Sequence, residues 1–315
     1  MLDHHHHHDH EQGHSAGAHG HGIPANMNRA FAIGVALNLG FVGVEAVYGV
    51  LANSLALLAD AGHNFSDVVS LLFAWGAATM AKRVPTLRFT YGLRSTTILA
   101  ALGNAMLLLV VMGGIVWESV GRLSASSPVE SWIVIWVALA GVLINAATAV
   151  MFMRGRKDDL NIRGAYLHMA SDAMVSLGVV VAGVVMLSTG WLWLDPVVSL
   201  VIAGFILVGT WGLLRESIQL ALQAVPTGVD PIAVRQHLCA LPGVQEVHDL
   251  HIWGMSTTET ALTAHLVIPA GHPGDDFLAS IVHDIEHRFN ISHATLQVET
   301  ATGSEPCALA PDHVV

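Results

Sequence analysis

Two pairs of residues stand out for the chemistry they can do together. His63 and Asp67 are four positions apart, and so are His168 and Asp172. On an α-helix, positions i and i+4 share a face. Each pair therefore points an imidazole and a carboxylate in one direction. If the two faces meet, two nitrogens and two oxygens converge into a tetrahedral ligand set for a divalent ion. Mixed N/O donors favour zinc, and also cobalt or cadmium, whereas all-oxygen sites favour magnesium, calcium or manganese. Binding needs neutral imidazoles and ionised carboxylates, so metal and protons compete for the same groups. That competition suits an exchange of metal against protons.

The surroundings of these pairs are apolar. The chain has 315 residues, 53% of them hydrophobic and only 12% charged, with a mean hydropathy of +0.57. A soluble domain carries about 25% charged residues. Crossing a bilayer takes about 20 mainly apolar residues as a helix, and six such stretches run near 30–50, 55–80, 95–117, 131–153, 164–188 and 194–214. The pairs fall in the second and fifth. Ionisable groups at membrane depth are costly and mark ion pathways. Both pairs read H-x-x-S-D, in keeping with a duplicated three-span half.

Lys and Arg gather on the cytoplasmic side of membrane proteins. Here Arg29, Lys82, Arg83, Arg88, Arg94, Arg154, Arg156, Lys157, Arg163 and Arg215 all fall on one side of the six spans, and only Arg122 on the other. Both termini are therefore expected in the cytoplasm. The net charge of −11 excludes a nucleic-acid partner, which requires a basic face. Cys239 and Cys307 lie far apart with no CxxC spacing, which excludes a disulfide framework and disfavours a thiolate metal site. No H-E-x-x-H motif accompanies the histidines, so an intramembrane metalloprotease is disfavoured and no enzyme is expected.

After Pro226 the pattern changes to a short helix from Asp230 to Leu241, strands Val244–Trp253 and Thr260–Ile268, a helix Asp275–Phe289 and a strand Thr295–Glu299. This αββαβ order predicts a small α+β domain. Strand alternation puts His248 and His251 on opposite faces. The first 22 residues hold nine histidines, with acidic residues interleaved, and such tracts bind metal when flexible. Glu45 sits inside the first span, where it either lines the ion path or bonds Asn38 or Asn104. Asp195 precedes Pro196 and is expected to start its own helix. Ser66 and Ser171 adjoin the ligand pairs, and His283 and His287 share a helix face. The loop from Ala81 to Tyr91 has no His, Asp, Glu or Cys, so no further metal site is expected there.

The stretches Asn53–Asp67 (NSLALLADAGHNFSD), Gly164–Asp172 (GAYLHMASD) and Val247–Trp253 (VHDLHIW) resemble the cation diffusion facilitator family. The resemblance covers roughly Arg29 to Thr300 and is nearest to the bacterial and vesicular zinc-exporting branch. It implies a six-helix transmembrane bundle with a ferredoxin-like cytoplasmic domain, dimerisation, and zinc efflux from the cytosol against protons. It implies that His63, Asp67, His168 and Asp172 form the transport site. Having His63 rather than Asp at the first position resembles the zinc and cadmium type. It also implies that His248, His265 and Glu299 form a regulatory metal site, with Asp275 a looser candidate. The expected organisation is a His-rich cytoplasmic tail at 1–28, a transmembrane domain at 29–215, a cytoplasmic metal-binding and dimerisation domain at 226–301, and a tail at 302–315. The expected setting is a bacterial inner membrane, with lipid, a divalent ion and protons as partners and no organic cofactor. Cobalt, cadmium, nickel or iron as cargo, and a membrane-tethered metal sensor, are the alternatives.

Overall fold

The computed structural model describes residues 25–124, 127–153, 160–300 and 307–310. The His-rich segment before Ala25 lies outside the described residues, as do Arg154, Arg156, Lys157 and most of the final tail. Six long helices come first: α1 (Ala25–Leu51), α2 (Leu55–Ala81), α3 (Thr96–Ser124), α4 (Ser131–Phe152), α5 (Leu160–Thr189) and α6 (Leu194–Ala221). A small domain follows, with α7 (Pro231–Cys239), β1 (Glu246–Gly254), β2 (Thr260–Val267), α8 (Asp275–Phe289) and β3 (His293–Glu299).

Among the described residues, four helices are long and apolar enough to cross a membrane: α3, α4, α6 and the Tyr166–Thr189 part of α5. In α2 the apolar run is broken by Asp60, His63, Asn64 and Asp67. The helices pack α4 along α5 and α3 along α6, with α2 against α1, α3 and α6. By contrast α2 meets α5 only sparsely. Large apolar side chains such as Trp75, Trp117, Trp132, Phe205 and Trp211 point outward, as they do where the surrounding solvent is hydrocarbon. The core between α1, α2, α4 and α5 is built on Phe41, Leu57, Val134, Ala138 and Val179. Close packing at Gly141 is tight enough that an added Cβ would meet Phe41 Cζ at 2.9 Å.

The link from α1 to α2 is three residues long and heavily tied. Asn53 turns the chain at a φ of 54°. Its carbonyl accepts from Arg122 Nη1 at 2.7 Å, and its Nδ2 donates to the Pro128 carbonyl at 2.9 Å. Asp195 stands in the first turn of α6, but its carboxylate serves α2. It accepts from Ser54 Oγ at 2.5 Å and from the Leu55 backbone N–H at 2.7 Å. The expected role at the start of its own helix is thus replaced by a cap across the bundle. A carboxylate at a helix N-terminus answers both the free N–H groups and the helix dipole.

The small domain has the αββαβ order read from the sequence. Its sheet order is β1-β2-β3, with β1/β2 antiparallel and β2/β3 parallel. Val234, Leu238, Leu262, Leu266, Ile281 and Ile285 fill its core. Asp230 caps α7 by accepting from Ile232 and Ala233, with Pro231 in the first turn. The domain rests on the α2–α3 loop and the start of α3. Arg94 Nη1 pairs with Glu259 Oε1 at 2.8 Å, Ser95 Oγ donates to the Met255 carbonyl, and the Thr257 N–H donates to Thr97 Oγ1. Gly254 approaches α6 so closely that a Cβ would lie 2.8 Å from Leu220 Cδ2.

Asp195→Ala leaves Ser54 Oγ and the Leu55 N–H without their buried acceptor. We expect a loss of about 1–3 kcal/mol, read as a lower thermal unfolding midpoint of the purified protein, with Asp195→Glu losing less.

Candidate metal centres

The two His–Asp pairs do converge. His63 and Asp67 project from one face of α2, and His168 and Asp172 from one face of α5, where these helices approach each other. His168 Nε2 lies 3.3 Å from Asp67 Oδ2 and 3.6 Å from Asp172 Oδ2. His63 Nε2 lies 3.7 Å from Asp67 Oδ2 and 3.9 Å from Asp172 Oδ1. The imidazole rings stand edge to face, with centroids 6.1 Å apart. Ligand atoms of His63, His168 and Asp172 all lie within 4.8 Å of one another. A tetrahedron with bonds of about 2.0–2.1 Å has edges of roughly 3.4 Å. The four His–Asp separations, 3.3 to 3.9 Å, are close to that edge, while Asp67 stands outside the three-residue group and has further to move.

Access is graded across the site. The Asp172 side chain is 4% exposed, whereas that of His168 is 40% exposed. His63 Nδ1, Asp67 Oδ2 and Asp172 Oδ2 are buried with no hydrogen-bond partner. Buried polar atoms are normally bonded, and the two unmet carboxylate oxygens, Asp67 Oδ2 and Asp172 Oδ2, fit a cation. Ser66 donates to Asn104 at 3.5 Å and ties α2 to α3. Ser171 donates back to the Leu167 carbonyl of its own helix. Glu45 accepts from Asn64 at 3.4 Å rather than from Asn104, and the Asn38 side chain lies outside the described residues.

A second cluster forms on the small domain. Antiparallel register sets His248 opposite His265, and β3 brings Glu299 alongside. Glu299 Oε1 is 2.9 Å from His265 Nδ1, and Glu299 Oε2 is 3.4 Å from His248 Nε2. Both ring nitrogens of His248 are buried without a hydrogen bond. An irregularity between His248 and His251 inserts one extra residue into β1, with Asp249 at a φ of 49°. His248 faces His265 and His251 faces Thr263, two positions apart on β2. The two histidines therefore share a face, contrary to simple alternation, because a bulge breaks the two-residue period. His251 Nε2 bonds Asp249 Oδ1 at 2.8 Å, and Asp249 Oδ2 is 3.4 Å from His265 Nε2.

Cys307 joins this cluster, its Sγ 3.7 Å from His265 Nδ1. No spacing in the sequence pointed to it, because Cys307 stands eight positions after Glu299 and forms no ligand motif with the residues around it. Burial alone would raise the Glu299 carboxyl, but the Cys307 thiol and the charges of His248 and His265 outweigh it and hold it below the ordinary range. At Cys307 a backbone hydrogen bond from Leu309 favours the thiolate, yet the Glu299 carboxylate and burial prevail and push the thiol up. Asp275 opens α8 and is not part of the cluster. The rings of His283 and His287 stack edge to face on α8 at 4.3 Å, outside both clusters.

Comparison with known proteins agrees with both halves. The cation efflux transmembrane domain matches residues 31–220, and the cation efflux protein cytoplasmic domain matches residues 226–301. The chain belongs to the cation efflux family. It is 36% identical over 288 residues to the cation efflux system protein CzcD of Alcaligenes sp. (strain CT14), covering 91% of this chain and 90% of that protein. It is 36% identical over 279 residues to the zinc transporter ZitB of Escherichia coli (strain K12), covering 88% and 87%. The cadmium, cobalt and zinc/H(+)-K(+) antiporter of Bacillus subtilis (strain 168) is 33% identical over 277 residues, covering 86% and 89%.

In this member of the family the Cys307 thiol should react slowly with iodoacetamide, because the thiolate is the reactive form and Glu299 opposes it. Glu299→Gln should speed alkylation of Cys307 several-fold at neutral pH while leaving Cys239 unchanged. Peptide mapping by mass spectrometry reads both rates in one sample.

Proposed function

We propose that this cation efflux protein exports a divalent metal ion, zinc foremost, from the cytosol in exchange for protons, with His63, Asp67, His168 and Asp172 as the transport site. The observation that carries the reading is the meeting of the two His–Asp pairs from α2 and α5, with His–Asp separations of 3.3 to 3.9 Å and His63, His168 and Asp172 gathered within 4.8 Å. The names of the relatives support it, since they include a zinc transporter and a cadmium, cobalt and zinc antiporter. A dication entering the site replaces protons on the same groups, so loading from one side and release to the other exchanges the two. A membrane-tethered sensor has no need of ligands placed between membrane helices, and the geometry gives that alternative no support.

In this reading all six long helices span the inner membrane of a bacterium, with both termini in the cytoplasm. The Arg94–Glu259 pair supports that topology, because it sets the basic α2–α3 loop on the same side as the small domain. The small domain, ferredoxin-like in its αββαβ order, joins two copies into a homodimer. His248, His265 and Glu299 hold a regulatory metal there, and the unbonded nitrogens of His248 fit that role.

The test is zinc flux into proteoliposomes under an imposed pH gradient. Asp172→Ala is expected to lower the gradient-driven flux by more than tenfold, since even partners that only orient ligands cost about 10- to 100-fold. Retained helical circular dichroism shows that the variant is folded. Unchanged flux in Asp172→Ala places the pathway elsewhere, and wild-type flux indifferent to the pH gradient removes proton exchange.

A further inference from the structure

One buried carboxyl pair takes no part in either metal cluster. Glu45 of α1 and Asp60 of α2 are 0% and 1% exposed. Asp60 lies one turn before Asn64 on the same face of α2, and Asn64 is the residue that reaches Glu45, so the two carboxyls meet at the α1–α2 contact. Each has one neutral donor: Asn64 Nδ2 at 3.4 Å from Glu45 Oε2, and Ser176 Oγ at 2.9 Å from Asp60 Oδ2. Glu45 Oε1 is buried with no donor. Ionised carboxylates only accept hydrogen bonds. Two of them facing each other in a dry interior lack a donor and repel, and such pairs share a proton.

Among the described side chains of the adjoining helices no Lys or Arg relieves the repulsion; Arg29, near the start of α1, lies outside them. Neither α2 nor α4 contains Lys or Arg, and the one basic residue of α5, Arg163, is exposed. His63 stands one turn beyond Asp60 on α2, and Asp172 stands one turn before Ser176, the donor to Asp60, on α5. Arg122 of α3 is engaged at the α1–α2 link with the Asn53 carbonyl, and Asp195 of α6 with Ser54 and Leu55. The charge around the pair is therefore set by the metal site itself.

We propose that Glu45 and Asp60 hold one proton between them, and that this pair is a proton site of the exchange, separate from the metal ligands. The inference rests on the metal–proton exchange proposed above. The proton forms an O–H bond on one carboxyl, bridges to the other, and leaves to water; no electrons are transferred. Bare Asp172 draws a proton to the pair, and a dication bound to Asp172 repels it. Metal arrival and proton departure are thus linked without the two sharing a ligand.

The test uses the full-length protein purified in detergent. Infrared spectra of the metal-free wild type at neutral pH should show the carbonyl stretch of a protonated carboxylic acid, part of which is lost in both Glu45→Gln and Asp60→Asn. Glu45→Asp, which keeps the carboxyl, should retain it and serves as the folding control. In lightly buffered solution with a pH-sensitive dye, Glu45→Gln should still bind zinc but release about one proton fewer per zinc than the wild type. An unchanged carboxylic acid band in both variants overturns the shared proton. A reduced band with an unchanged proton count makes the proton a fixed structural one and overturns its part in exchange. A wild type that binds no zinc sinks the transport reading, while the infrared band still decides whether the pair holds a proton.

Discussion

A carboxylate among apolar helices is tolerable only if something answers its charge, and the helical half of this protein is arranged around five of them. Asp195 is answered by the free N–H groups at the start of α2. Asp67 and Asp172 are answered by two histidines and, in our reading, by the cargo. Glu45 and Asp60 answer each other through a proton. Each solution joins two helices: α6 to α2, α2 to α5, and α1 to α2. The polar groups therefore fix which helices are neighbours, while apolar residues such as Leu57, Val134 and Val179 fill the space between them. Exchanging the neighbours would strand a charge, a cost far above that of repacking a few methyl groups.

The same logic separates the two metal centres. The one between α2 and α5 has partly accessible histidines and a nearly sealed Asp172, an open-ended cup suited to an ion that comes and goes. The one on the small domain is built on sheet register, with His248 and His265 directly opposed and Glu299 beside them. Its geometry is held by backbone ladders and by a bulge, which in our reading suits a resident ion rather than a passing one. The Arg94–Glu259 pair and the two hydrogen bonds beside it join this sheet to the helical half.

Much of this was legible in the sequence, for definite reasons. The i,i+4 spacing of His63 with Asp67 and of His168 with Asp172 reports a helix face directly, and apolar runs report long helices. Helix α8 was bounded correctly because its amphipathic period is strong and its ends carry acidic and basic turns. What escaped depends on long-range contacts. Asp195 was read as serving its own helix, since nothing local reveals that Ser54 and Leu55 come to meet it. His248 and His251 were read onto opposite faces, because a bulge at a non-glycine residue leaves no mark in the alternation. Cys307 was set aside because its neighbours in space are remote in the chain. Asp60 went unremarked beside the more conspicuous His63.

The sparse packing of α2 against α5 has a mechanical meaning. The two backbones come close at few points, and the polar links across the seam are the four facing groups and the Ser176–Asp60 hydrogen bond. Empty, the seam is bridged at the site only by loose His–Asp pairs of 3.3 to 3.9 Å. Filled as we propose, a dication would bind both walls and turn a loose joint into a strut. On that reading the cargo is a temporary structural member of the bundle, and the compliance of the protein changes each time an ion arrives or leaves.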